Sequence, residues 1–152
     1  MSDSIAFFPT TNNFSLIEVS NSSGNVDGIS VADLNNDNKL DVIASSLDEY
    51  TIEWFNNSGD NLNFSANKID FLPKTNYSKN KITDIDGDGF LDILSVNEAS
   101  SNLGGFYWYK NNGDETFSTN LLQTISNGGE TPKNINYADF DNDGDIDILT
   151  IS

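Results

Sequence analysis

The chain has 152 residues with 24 acidic side chains, seven lysines and neither arginine nor histidine, and its formal charge is −17. Such a chain would be repelled by the phosphates of nucleic acid and by an anionic membrane surface, so both partner classes are excluded. The absence of His and Cys excludes disulfides, zinc sites built on imidazole or thiolate, and Ser-His-Asp or Cys-His catalysis. The composition favours a hard cation that binds through oxygen.

The length suits one domain, and the aromatic content (two Trp, five Tyr and ten Phe) argues against a disordered acidic chain. No apolar run approaches the roughly 20 residues that span a bilayer. Polar residues follow Met1 directly, so we expect no signal peptide in this sequence.

In chain order, the first predicted elements are two strands at about 4–9 and 13–20. The first acidic segment, DLNNDNKLDVI, follows from Asp33. Period-two alternation of apolar and polar residues predicts a strand on each side of it. An aromatic strand, IEWFNNSGD, begins at Ile52, and a fourth strand is predicted over Phe64 to Phe71.

The same order then repeats along the chain. Acidic segments recur as DIDGDGFLDIL from Asp84 and DFDNDGDIDIL from Asp139, so their starts lie 51 and 55 residues after the preceding one. A second aromatic strand, FYWYKNNGD, begins at Phe106, and its fourth strand is predicted over Phe117 to Ile125. The opening IAFFPTTNNFS resembles the aromatic piece, with Phe7 at the position of the tryptophans. The last strands are predicted at about 132–140 and 145–152.

Four short strands in about 50 residues is the size of a propeller blade, so we predict an all-β propeller. The twelve strands make three blades, organised as a half-blade over 1–20, blades over about 26–72 and 78–126, and a half-blade over about 131–152. Three blades are too few for a ring, and each half-blade would expose a strand edge. We therefore expect a homodimer in which the terminal half-blades exchange strands and close six blades; the alternative is an open fragment of a longer propeller.

Each acidic segment reads D-x-[DN]-x-D-[GN]-x-φ-D, where φ is an apolar residue. Positions one, three, five and nine place side-chain oxygens around one centre, position seven can add its carbonyl, and position six requires a positive φ angle. The predicted ligands are Asp33, Asn35, Asp37, Asp41 and the Lys39 carbonyl in loop one; Asp84, Asp86, Asp88, Asp92 and the Phe90 carbonyl in loop two; and Asp139, Asp141, Asp143, Asp147 and the Asp145 carbonyl in loop three.

The number of oxygen ligands favours Ca²⁺ over Mg²⁺, at about three ions per chain. Loop one has one carboxylate fewer and should bind most weakly. The alternative is that these are Asp- and Asn-rich turns, but without a cation so many carboxylates in one loop would repel one another. No open catalytic position is indicated, so we expect a structural ion. The glutamates outside the loops recur in no motif, and we expect no enzyme.

These features resemble the FG-GAP/VCBS repeats, the calcium-binding blades of integrin-α-like propellers. The acidic signature followed by aliphatic residues, the period of about 50 residues and the W-[FY] strand carry the resemblance over nearly the whole chain. The chain departs from the family in having three repeats rather than the usual seven, and in the Asn residues at positions three and six of loop one. The resemblance implies an extracellular or cell-surface protein and a lectin-like or adhesive role.

A glycan site could form where a tryptophan lies beside amides, because a sugar ring stacks on an indole while polar groups bind its hydroxyls. The candidates are Trp54, Asn56, Trp108, Tyr109 and Asn111. The other interpretation, which we favour, is that Trp54 and Trp108 fill the space between blades. We expect a module that recognises glycans or surface partners; the alternative is a structural repeat segment of a larger secreted protein with no ligand of its own.

Overall fold

Twelve β-strands and no helix form the part of the chain that the computed structural model describes, residues 5–7, 17–20, 25–46, 51–59, 63–71, 76–98, 105–124 and 133–151. The strands are β1 (Ile5–Phe7), β2 (Ile17–Ser20), β3 (Val26–Ala32), β4 (Asp41–Ser46), β5 (Thr51–Asn57), β6 (Phe64–Phe71), β7 (Asn76–Thr83), β8 (Asp92–Glu98), β9 (Gly105–Asn111), β10 (Phe117–Thr124), β11 (Asn134–Ala138) and β12 (Asp147–Ile151).

The strands form two complete sheets and two smaller ones. The first complete sheet has the order β3-β4-β5-β6 and the second has the order β7-β8-β9-β10; β1-β2 and β11-β12 are two-stranded. All pairs are antiparallel. The all-β prediction of antiparallel four-stranded sheets is confirmed. The outer parts of the two strands predicted before residue 21, at 4, 8–9 and 13–16, lie outside the described residues.

A shared irregularity shows which strands correspond. In each complete sheet, the register between the third and fourth strands shifts by one residue, directly after Ile52 in β5 and directly after Phe106 in β9. The register between β1 and β2 shifts in the same way directly after Ile5. A β-bulge of this kind adds one residue to one strand of a pair and marks a fixed place in the sheet. β1 and β2 are therefore the third and fourth strands of a repeat, and Phe7 corresponds to the tryptophans, as the sequence indicates.

The two complete sheets pack face to face through an apolar core. Alternation along each strand sends Ile43 and its cross-strand partner Trp54 to the same face. The core consists of Ala32, Leu34, Ile43, Ile52 and Trp54 of the first repeat with Ile93, Tyr107 and Tyr109 of the second. Trp54 meets Phe117 edge to face, with ring centroids 6.2 Å apart. Each large side chain buried here contributes about 1.5–3 kcal/mol.

The two-stranded sheets cover part of the remaining faces of the complete sheets. Ile5 of β1 packs on the first sheet beside Val42, Ala44 and Phe55. On the far side, Ile135 of β11 packs against Leu94, Val96 and Phe106 of the second sheet. The Tyr137 hydroxyl also donates to the Ile82 carbonyl across that contact at 2.9 Å. The sheets thus form a stack of four, in chain order.

Candidate metal centre

Each acidic loop joins the first strand of a sheet to the second, and its first aspartate organises the loop. In loop one, Asp33 Oδ1 accepts the N–H of Asp37 at 3.0 Å and Oδ2 accepts the N–H of Asn38 at 2.7 Å. Asp84 and Asp139 accept the N–H groups of the same loop positions at 2.9–3.2 Å, and Asp84 Oδ1 also accepts the N–H of Gly87 at 2.8 Å. The loop therefore closes around a carboxylate because its turning backbone presents N–H groups inward.

Positions four and six of every loop have left-handed backbone conformations. Position six has φ angles of 66° at Asn38, 90° at Gly89 and 99° at Gly144, which confirms the predicted positive φ. Sequence reasoning missed position four, which has φ angles of 58°, 72° and 63°; its residues are Asn36, Gly87 and Asn142. The signal was present in the sequence, since only Asn and Gly stand there and both tolerate this region.

The last aspartate of the loop ties the loop to the third strand. Asp92 Oδ2 accepts the N–H of Ile85 at 3.1 Å, and its Oδ1 accepts the N–H of Asn111 at 2.7 Å. Asp41 makes the same pair of bonds at 3.2 and 2.9 Å, and both carboxylates are fully buried. Burial raises the pKa of Asp41 and of Asp92 above the ordinary 3.8, and the donated N–H groups oppose that rise.

Carboxylate oxygens converge in loops two and three. Within each of two groups the oxygens all lie within 4.8 Å of one another: Asp84, Asp86 and Asp88; and Asp139, Asp141 and Asp147. Three converging carboxylates suit a divalent cation with oxygen ligands, and nothing softer is present in the donor set. Asp92 and Asp143 lie outside these groups, so their role as ligands stays a prediction, as do the carbonyl ligands of Lys39, Phe90 and Asp145.

Loop one has a different inner lining. The amide atom of Asn35 that faces inward lies 3.2 Å from Asp33 Oδ1 and 3.3 Å from Asp37 Oδ1. As nitrogen this atom would donate to both carboxylates, and as oxygen it would complete a three-oxygen centre for a cation. Rotation of its side-chain amide therefore allows Asn35 either to donate to the two carboxylates when no ion is bound or to offer its oxygen to an ion.

Lysine ammonium groups meet the acidic centres of loops one and two. Lys110, on β9, lies 2.7 Å from Asp88 Oδ2 and also bonds Asp86 Oδ2, so its charge lies between two predicted ligands. These hydrogen bonds raise the pKa of Lys110 and lower that of Asp88. In loop one, Lys39 Nζ lies 3.2 Å from Asp37 Oδ2. Among the described residues no lysine pairs with the carboxylates of loop three, so a cation there displaces no internal charge.

Three of the five glycan-site candidates lie inside the protein. Trp54 and Tyr109 are 2% and 0% exposed in the core between the complete sheets. Asn111 is 2% exposed, and its amide donates to the carbonyls of Leu34 at 2.7 Å and Leu91 at 3.2 Å. Burial leaves these three side chains almost no surface for a sugar ring: Trp54 and Tyr109 pack in the core, and the Asn111 amide bonds backbone carbonyls.

The other two candidates are half-buried. Trp108 packs against the cluster between the second sheet and β11-β12, and Asn56 lies near the end of β5, opposite Ser65 of β6. The five candidates do not form one cluster, because alternation along β9 sends Trp108 to the face opposite to that of Tyr109 and Asn111.

A family model described as an FG-GAP-like repeat matches residues 33–95 and again residues 84–150. The chain belongs to the FG-GAP-like repeat family. Each match begins at the first aspartate of an acidic loop and runs past the next one, so the repeat that the family describes is the one seen in the sheets. No curated protein matches the chain. In the described part of this FG-GAP-like chain, no helix is long and apolar enough to cross a membrane.

Proposed function

We propose that this chain is a calcium-binding repeat module in which the ions hold the strands of each sheet together. The observation that carries the proposal is the convergence of three carboxylates in loop two and of three in loop three. Calcium accepts six to eight oxygen ligands in flexible geometry, whereas magnesium demands an octahedron and retains water. A nine-residue loop that offers several carboxylates and carbonyls suits calcium better.

The place of the loops supports a structural role for the ion. Each loop connects the first two strands, and loops one and two also bind the backbone of the third strand through Asp41 and Asp92. An ion that fixes the loop therefore fixes three of the four strands. Because unfolding would release the ion, calcium should stabilise the folded chain by mass action, by about 2.7 kcal/mol per site at 100 times the dissociation constant.

Thermal unfolding with calcium, magnesium or EDTA tests the proposal. We expect a higher melting temperature in calcium than in EDTA, a smaller rise in magnesium, and a reduced calcium effect in the Asp86→Asn and Asp141→Asn variants. Lys68→Met is a matched control, since Lys68 pairs with Glu53 at 3.7 Å away from the loops. A melting temperature and circular dichroism spectrum that do not change with calcium would refute the proposal.

The second candidate function is recognition of glycans or surface partners by an extracellular module without catalysis. Its support is the family, together with the half-buried Trp108, whose ring lies 6.0 Å from the Lys110 ammonium. A glycan array with the wild-type chain and Trp108→Ala, each in calcium and in EDTA, tests it. Calcium-dependent glycan binding that is lost in Trp108→Ala is expected. A calcium-stabilised chain that binds no glycan would leave the structural module as the function.

A further inference from the structure

Exposed apolar side chains concentrate on two surfaces, one on the first complete sheet and one on the last two-stranded sheet. Seven large apolar side chains are exposed among the described residues, and six of them lie on these surfaces. The first-sheet surface consists of Ile29, Val31 and Leu40; the last-sheet surface consists of Phe140, Leu149 and Ile151. All six are 56–62% exposed, and the seventh, Leu122, lies on the outer strand β10.

The last-sheet surface repeats a surface that is buried elsewhere in the chain. By the alignment of the acidic loops, Phe140 corresponds to Leu34 and Leu149 corresponds to Ile43. Leu34 and Ile43 are 2% and 0% exposed, because the second sheet covers them. The last-sheet surface is therefore the side of a repeat that a following sheet would cover.

The first-sheet surface corresponds to the opposite side of the same contact. Val31 occupies the position of Ile82 and Leu40 that of Leu91, and both Ile82 and Leu91 pack on the core between the complete sheets. A groove of about 500 Å³ beside Val31 and Leu40 is open to an incoming side chain. The two exposed surfaces are thus the two halves of one sheet-to-sheet contact that the chain already makes once.

The strands beside these surfaces also match. β12 has the position of a second strand and β1 that of a third, and in the first complete sheet the second strand pairs Ala44 with Glu53 of the third. The corresponding pair is Thr150 of β12 and Ala6 of β1. Within one chain these two strands belong to different sheets, so two copies of the chain can supply the pair.

Within the described residues, the third acidic loop lacks one bond that the other two possess. Asp147 Oδ2 accepts the N–H of Phe140 at 2.9 Å, as the equivalent aspartates do. Among the described residues no third-strand N–H reaches Asp147 Oδ1, whereas Asn57 and Asn111 supply one to Asp41 and Asp92. A third strand beside β12 would complete this loop.

We propose that a second copy of this chain covers these surfaces. β12 of one copy pairs with β1 of the other, which completes a four-stranded sheet, and the last-sheet surface of the first copy packs on the first-sheet surface of the second. Two such contacts close a ring of six sheets from two chains, in which every sheet face is covered. The inference goes beyond the proposed function, because it concerns how chains associate and does not require the loops to bind calcium.

Light scattering coupled to size-exclusion chromatography tests the association. The wild-type chain should have twice its mass of 16.7 kDa, in calcium and in EDTA. Leu149→Asp, which places a charge in the contact, should be monomeric, and Leu122→Asp, a matched change outside both surfaces, should remain a dimer. A wild-type monomer, a ladder of larger species or a dimeric Leu149→Asp would overturn the proposal.

Mixing two variants distinguishes a disrupted contact from a misfolded chain. Val31→Asp and Leu149→Asp alter opposite halves of the contact, so each should be monomeric alone. In a mixed dimer one of the two contacts is wild type on both sides, and mixing should therefore restore association. Monomers that persist after mixing, while both variants keep the wild-type circular dichroism spectrum, would overturn the head-to-tail contact.

Cross-linking tests the register of the paired strands. The sequence has no cysteine, so Ala6→Cys with Thr150→Cys introduces the only thiols. Directly opposed residues of antiparallel strands lie within disulfide range. Oxidation should give a covalent dimer from this double variant, and Ala6→Cys with Ser118→Cys should give none. Equal cross-linking of both double variants, or none in the first, would overturn the register.

Discussion

Asp92→Ala is predicted to destabilise the calcium-free chain by about 3 kcal/mol. Asp92 is 0% exposed, and the substitution removes the acceptor of the Ile85 N–H at 3.1 Å and of the Asn111 N–H at 2.7 Å. Hydrogen bonds to a charged group contribute about 1.5–3 kcal/mol each, so their summed loss is roughly 3–6 kcal/mol. Removal of a buried charge, whose burial raises the pKa of Asp92, offsets part of that loss.

Chemical unfolding in EDTA at one protein concentration measures this loss, since association would otherwise shift the apparent stability. A loss of about 3 kcal/mol corresponds to a melting temperature lowered by about 6–12 °C for a chain of this length. Asp92→Asn keeps one acceptor oxygen and should lose roughly half as much by the same reasoning. Asp27→Ala is the control. It removes the same charge from an exposed strand position, where the Asp27 carboxylate accepts no hydrogen bond within the described residues.

The reasoning would be refuted if Asp92→Ala lowered stability no more than Asp27→Ala does. The reasoning would also be refuted if Asp92→Asn and Asp92→Ala lost the same free energy of unfolding, because the acceptor oxygen that Asp92→Asn keeps would then contribute nothing. Either result would mean that the loop is not tied to β9 through this carboxylate.

Three further predictions concern the same loops. Lys110→Met should raise the calcium affinity of loop two several-fold, because the ion no longer displaces an ammonium group from Asp86 and Asp88. Calorimetric titration measures the affinity, with Lys68→Met as the control, and an unchanged affinity in Lys110→Met would contradict the prediction. In EDTA, stability should rise as the pH falls from 7 towards the ordinary aspartate pKa of 3.8, because burial raises the folded-state pKa of Asp41 and Asp92 above that value and the folded chain takes up protons first. A loss of stability over this interval, measured by urea unfolding, would contradict that sign. Asn111→Ala should lower the free energy of unfolding by about 2 kcal/mol in the same urea assay, because it removes the amide that donates to the buried Leu34 carbonyl and to the part-buried Leu91 carbonyl. The exposed Asn112→Ala should lower it far less, and equal losses would argue against a stabilising role of the Asn111 hydrogen bonds.

The repeat made much of the fold predictable from sequence. Period-two alternation beside each acidic segment placed the strands, and Gly89 and Gly144 at position six indicated the turn, because a left-handed backbone favours glycine. The burial of Trp54 followed from its place on the apolar face of a central strand. These features depend on neighbours in sequence, where local chemistry determines the outcome.

The features that sequence analysis missed depend on partners distant in the chain. Lys110 meets Asp86 and Asp88 across 24 and 22 residues, and no local pattern connects a lysine on the third strand with the loop before the second. The Asn111 amide, on the second complete sheet, donates to the Leu34 carbonyl in the loop of the first, 77 residues away in the chain. Such contacts require the order and spacing of the sheets, which alternation alone does not provide.

The most direct test of the calcium sites is a count of calcium bound per chain, by elemental analysis after dialysis of metal-free protein against buffered calcium. We predict three ions in the wild-type chain, and about one in a variant that combines Asp86→Ala with Asp141→Ala, since loop one alone then keeps an oxygen ligand at position three. A wild-type chain that binds no calcium, or a variant that binds as much as the wild type, would contradict the assignment of the acidic loops as cation sites.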